Sequence, residues 1–204
     1  MTGLVAAFLL TALVIELTPG PNMGYLALVS AVEGRREGLS ATAGIALGLA
    51  IVGLAAAFGL AALLAASPLA FALLRWGGVA YLLWLAYEAW TSATELSPSR
   101  ANHRQSAARH FRRGLIVNLL NPKAGIFFIA ILPGFIDPTR AIAPQTALLT
   151  ILYVVLATAI HLTIVALAGT AQRQLSDPGR QRLARRTFAV LLAGVAFWFL
   201  LETR

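Results

Sequence analysis

The stretch Thr18-Pro19-Gly20-Pro21-Asn22 interrupts an apolar run that extends from Leu4 to Val32. Pro19 and Pro21 have no N–H to offer the carbonyls of Ile15 and Leu17, so a regular helix cannot be completed there. In hydrocarbon, broken backbone is tolerated where it is buried in protein or lines a water-filled cavity. This stretch is therefore a candidate binding site in the first of several membrane spans.

The composition requires a membrane. Of 204 residues, 59% are hydrophobic and 12% charged, with a mean hydropathy of +0.79, outside the range of ordinary soluble domains. The net charge of +8 would raise nucleic acid as a partner of a soluble protein. Here twelve of the sixteen Lys and Arg residues fall in three short polar segments without interleaved aromatics, which fits the positive-inside rule and not a nucleic-acid platform. The absence of cysteine excludes disulfides, thiol redox chemistry and iron–sulfur ligation. The apolar N-terminus lacks a positive region and stays hydrophobic past the proline break, as expected of a retained span and not a cleaved signal.

Six spans are expected. The first is Leu4 to Val32, longer than the roughly 20 residues a crossing needs, with the break taking up the surplus. Glu33 to Glu37 form a charged turn. Span two runs from Leu39 to Ala66 and span three from Leu69 to Trp90, joined by a hairpin at Ser67-Pro68. A polar segment, Thr91 to Arg113, reads as a cytoplasmic loop ending in a short surface helix. Span four, Gly114 to Ile136, contains Asn121-Pro122-Lys123 and is followed by an external turn at Asp137 to Arg140. Span five lies within Ala141 to Gln172, and span six, Thr187 to Leu201, follows a second basic loop.

Gly44 and Gly48 in span two have the spacing that lets helix backbones approach in lipid, through packing within one subunit or a homodimer face. Arg75 and Glu88 read as snorkelling charges. His103 and His110 lack flanking carboxylates, so no metal site is expected of them. Lys and Arg number two, five and five in the loops after spans one, three and five, whereas the opposite side carries Arg140 and Arg204. Both termini are therefore expected outside the cytoplasm.

Six spans divide into halves of three, which begin on opposite sides of the membrane because three is odd. The fold expected is an all-α membrane protein of one domain, residues 1–204, built as two inverted three-helix repeats. The first repeat covers about 1–90, the loop about 91–113 and the second repeat about 114–204. Helices 1 and 4 are each broken by a proline motif, Gly20-Pro21-Asn22 and Asn121-Pro122-Lys123. Inverted-repeat transporters bind substrate near the midplane between such discontinuous helices. Half-helices restarting at Pro21 and Pro122 would each turn free N–H groups and a positive dipole end to that level. Lys123 adds a full charge at a depth where a lysine is expensive. The ligand expected is an anion, a carboxylate being the most economical. Pro19, Gly20, Pro21, Asn22, Asn121, Pro122 and Lys123 are thus candidate substrate contacts, with Asn22, Glu16 or Asn118 serving an amino group. Glu16 is also a candidate for the coupling proton, a partner for Lys123, or a vestibule residue. His161, alone on span five, is a second proton candidate or else a hydrogen-bonded packing histidine.

At these residues the chain resembles the LysE/RhtB amino-acid exporters. The resemblance rests on Thr18-Pro19-Gly20-Pro21-Asn22, the series Gly34, Gly38, Gly44 and Gly48, and Asn121-Pro122-Lys123-Ala124-Gly125-Ile126-Phe127-Phe128 through Leu132-Pro133-Gly134-Phe135. It covers essentially the full length. It implies a bacterial inner-membrane exporter of amino acids or close derivatives, driven by the proton motive force and using no cofactor. Many members carry Asp at the position of Asn22. Asn22 can hydrogen-bond a substrate but cannot take up a proton, which shifts the coupling role toward Glu16.

The rival readings are an exporter of an inorganic anion or a divalent cation, and an intramembrane enzyme. A cation would want clustered carboxylates or histidines, which the spans lack. An enzyme would want a nucleophile with its base or clustered metal ligands. Neither HExxH nor GxSxG occurs, and the three histidines are scattered.

Overall fold

The computed structural model describes residues 2–58, 67–91, 103–171 and 178–202. Among these the chain is helical without a strand. The apolar run divides at its prolines into α1 (Thr2–Leu17) and α2 (Pro21–Val32), which meet at 58°. Then follow α3 (Arg35–Ala57), α4 (Pro68–Thr91) and α5 (His103–Leu119). The second break separates α5 from α6 (Pro122–Ile126), which runs on through a π-helical turn, Phe127–Ile131, and a 3-10 turn, Leu132–Phe135. The bend there is 50°. Two long helices, α7 (Ile142–Ala171) and α8 (Pro178–Glu202), complete the chain.

Proline sets several of these boundaries. Pro21, Pro68, Pro122 and Pro178 each occupy the first helical position, where the missing N–H has no intrahelical acceptor in any case and the fixed φ suits the helix. Gly34, at φ 117°, separates α2 from α3 in a conformation that only glycine adopts without strain. The charged turn expected at Glu33 to Glu37 therefore shrinks to Glu33-Gly34, with Arg35 already helical. The turn at Asp137 to Arg140 forms as expected. Asp137 Oδ1 accepts from Thr139 N and Oγ1, and these bonds, with Arg140 nearby, hold its carboxyl below the usual range.

Length and apolarity select α3 and α7 as unbroken spans, and the bent pairs α1–α2 and α5–α6 bring the number to as many as four. The third and sixth expected spans correspond to α4 and α8, of 24 and 25 residues. Two boundaries differ from expectation. The expected loop at 91–113 is helical from His103, and span six, expected over 15 residues, is the far end of a helix beginning at Pro178. The remainder of that loop, 92–102, and the end of span two, 59–66, lie outside the described residues.

The packing centres on α3, which lies against α5 and α7, while α2 lies against α7 and α4 pairs with α8. Glycine makes the central contacts close. A Cβ at Gly44 would overlap the Phe111 carbonyl, and one at Gly114 that of Ala41, so α3 and α5 meet backbone to backbone. Gly48 abuts the Asn118 side chain, and Gly53 abuts Thr150 and Phe128. The Gly44 and Gly48 face is thus occupied by helices of the same chain.

Candidate functional site

The two breaks face each other. Lys123, just inside α6, extends its ammonium to the Thr18 carbonyl, 2.7 Å away at the end of α1. That oxygen is freed because Pro19 and Gly20 leave the helix, and a cation is favourable at a helix C-terminus. The Lys123 side chain also passes Gly20, where an added Cβ would lie 3.4 Å from its Cδ and 3.8 Å from its Nζ. Between the breaks is a small cleft lined by Glu16, Gly20, Asn22, Met23, Asn121, Lys123 and Ala124.

The two helix starts at this cleft are chemically unequal. Gly20 caps α2 with extended backbone and no side-chain bond, and the first bond of that turn runs from Gly24 N to the Gly20 carbonyl at 3.0 Å. The N–H groups of Asn22 and Met23 precede it and have no helical acceptor. At α6, by contrast, Asn121 caps its own helix, its Oδ1 accepting from Lys123 N at 3.0 Å. The α2 end therefore carries two such donors, and the α6 end one, the Ala124 N–H, beside the charge of the lysine side chain.

Glu16 and Asn22 supply the other polar atoms. Both are buried, and Asn22 Oδ1 has no hydrogen-bond partner among the described residues. A buried carboxylate needs partners, and Glu16 finds them on α7. The Tyr153 hydroxyl donates to its Oε1, and His161 Nε2 lies 3.8 Å from its Oε2. Glu16 and His161, separate proton candidates in the sequence, thus belong to one cluster, with Lys123 at the mouth of the same cleft. Neither ring nitrogen of His161 has a hydrogen-bond partner among the described residues.

The other candidates fall as follows. Pro19 is exposed at the break, and Pro21 begins α2 in a buried position. Pro122 starts α6. Asn118 is fully buried against Gly48, both its amide atoms lack partners among the described residues, and it is not among the cleft-lining residues. Met23, Ala124 and Tyr153 escaped the sequence reading. A signal existed for Tyr153, because Tyr153, Ala157 and His161 repeat at i, i+4 and i+8, the spacing of one helix face, and all three are buried.

A second polar cluster sits at the other end of α2. His110, read from sequence as a loop residue without carboxylates nearby, is a fully buried residue of α5. Its Nε2 lies 2.9 Å from Glu33 Oε2 and its Nδ1 3.1 Å from the Tyr25 hydroxyl. Arg109 approaches Glu33 at 3.9 Å. Glu88, expected to snorkel, is ion-paired with Arg113. Among the described residues no group of three metal-ligating side chains occurs.

The profile of the LysE type translocators matches residues 13–203. A membrane protein of Vibrio cholerae is 35% identical over 92% of each chain. The homoserine/homoserine lactone efflux protein of Salmonella typhimurium is 31% identical over 91% of this chain and 90% of that protein. The leucine efflux protein of an Enterobacter strain is 30% identical over 64% of this chain and 62% of its own. No solved structure matches.

Proposed function

The chain belongs to the LysE type translocators, membrane transporters and not enzymes, and from that premise we propose that it exports a small neutral amino acid from the cytoplasm in exchange for protons. The observation that carries this reading is that side chains of opposite charge, Glu16 and Lys123, line one cleft together with Asn22, whose amide oxygen has no hydrogen-bond partner among the described residues. A zwitterion complements that set. Its carboxylate goes to Lys123 and the free N–H groups of Asn22 and Met23, and its ammonium to Glu16 and Asn22 Oδ1. A bare inorganic anion would meet Lys123 equally well but would leave Glu16 opposing it.

The same carboxylate supplies the exchange. A substrate ammonium and a proton compete for ionised Glu16, so one leaves as the other binds. One proton entering through 100 mV releases about 2.3 kcal/mol, enough for roughly fiftyfold uphill movement of a net-neutral zwitterion. Relatives named for homoserine and leucine efflux support the substrate class.

The architecture in which this operates is six spans in two inverted repeats, in a bacterial inner membrane with both termini outside. The pairing of helices supports it. Exchanging the halves maps the contact of α3 with the α5–α6 pair onto that of α7 with the α1–α2 pair, and maps the α3–α7 and α4–α8 pairs onto themselves. Purified protein in liposomes, given labelled homoserine or leucine, tests the site directly. The Lys123→Ala variant is expected to lose at least about tenfold in flux, the equivalent of one charged contact. Parent-like flux from that variant would remove Lys123 from the site.

A further inference from the structure

Tyr153 is not among the residues that line the cleft, yet it touches both halves of the site. Its hydroxyl donates to Glu16 on α1. Its ring lies flat on Phe127, with centroids 3.9 Å apart and planes inclined by 12°, and meets Phe128 edge-on at 5.5 Å. Phe127 opens the π-helical turn four residues after Lys123, and Phe8 of α1 meets it at 5.9 Å and Phe135 at 5.3 Å. The side chain is fully buried. A π-turn is a rare, strained form that recurs at functional positions, and packed aromatic contacts switch between arrangements instead of deforming smoothly.

We propose that Tyr153 is a positioning residue that couples the charge state of Glu16 to the placement of the second broken segment, the one that carries Lys123. The proposal rests on the export-by-antiport reading. With Glu16 ionised, the phenol makes a charge-assisted bond that fixes the ring on Phe127. A proton arriving from water forms one O–H bond on the carboxyl group, and the bond from Tyr153 becomes one between neutral groups. Tyr153 keeps its own proton throughout, and the proton on Glu16 leaves by the same O–H bond to water on the opposite side. The weaker bond releases the ring, and with it Phe127 and the turn behind Lys123. The titratable and charged groups facing Glu16 are Tyr153 and His161 from α7 and Lys123 from α6; replacing Tyr153 leaves the other two in place.

The full chain in liposomes, with labelled homoserine and labelled leucine, gives two readouts: accumulation driven by a pH gradient, and label exchange at equal pH on both sides. A parent protein that moves neither label refutes the export reading before any variant is compared. With an active parent, Tyr153→Phe keeps the ring and removes the hydroxyl. Driven accumulation is expected to fall about tenfold or more, on the scale of one charge-assisted hydrogen bond, while exchange stays within about threefold. Phe127→Leu, which spares the bond to Glu16 and removes the stack, is expected to show the same split. In a Glu16→Gln background, Tyr153→Phe is expected to add nothing further. Parent-like driven transport in either single variant overturns the proposal. Equal losses of driven transport and exchange, or additive losses in the double variant, overturn it as well.

Discussion

A single histidine shows most sharply what the sequence could and could not reveal. His110 lies in a basic stretch with no carboxylate within reach along the chain, and on that ground it reads as a solvated loop residue. Its partners come from 77 and 85 positions away, Glu33 and Tyr25, and satisfy both ring nitrogens inside the protein. Tyr153 and Glu16 are likewise 137 residues apart. The proline breaks were legible because proline and glycine act on the backbone where they stand; side-chain partnerships across helices leave no local mark. His110→Phe preserves bulk but strips Tyr25 and Glu33 of a buried partner, which costs about 2–4 kcal/mol. For a chain of this size that corresponds to roughly 4–16 °C in Tm. Thermal unfolding in detergent measures it, and a Tm within about 2 °C of the parent would show that the cluster contributes little to stability.

At the scale of elements, the breaks and most proline-led starts were legible, whereas the starts of α5 and α8 were not. Both helices begin inside arginine-rich stretches, at His103 and Pro178. Hydropathy marks where lipid begins, and backbone hydrogen bonding starts earlier, so spans read from apolarity are shorter than the helices that contain them. The additional turns matter, because they place Arg109, His110 and Arg113 on a rigid helix facing Glu33 and Glu88. The closest helix contact was legible in part, since small residues four apart announce a tight interface but not its partner. That partner is α5, and Gly44→Val tests it. The added side chain meets backbone atoms of Phe111 and Leu115, which cannot rotate away, so the helices must separate at a cost of about 2 kcal/mol. A fall of roughly 4–8 °C in Tm is expected. Gly134→Val, where nothing lies within 4 Å of an added Cβ, is the matched control for steric crowding.

At the scale of the molecule, the inverted repeat makes a claim about sides. If two three-helix halves cross in opposite senses, the start of α1 and the start of α5 lie on opposite faces of the membrane, and the Asp137 to Arg140 turn returns to the face of the N-terminus. The chain contains no cysteine, so a single introduced thiol is the one reactive site and nothing native needs removal. Gly3→Cys, Ala108→Cys and Pro138→Cys place that thiol at exposed positions on three elements. In spheroplasts a membrane-impermeant maleimide is expected to label Gly3→Cys and Pro138→Cys at once, and Ala108→Cys after permeabilisation. The arginine count alone predicts the same sides, but the two arguments part if one half is misread. Labelling of Gly3→Cys and Ala108→Cys from one face would mean an even number of crossings between them. That parity is incompatible with inverted halves, and the Lys123 and Asn22 ends could not then be related by an axis in the membrane plane. Labelling from opposite faces is the parity that inverted halves require, with an axis between the two breaks where Glu16 and Lys123 line one cleft, and it makes an alternation of access around a stationary site geometrically available.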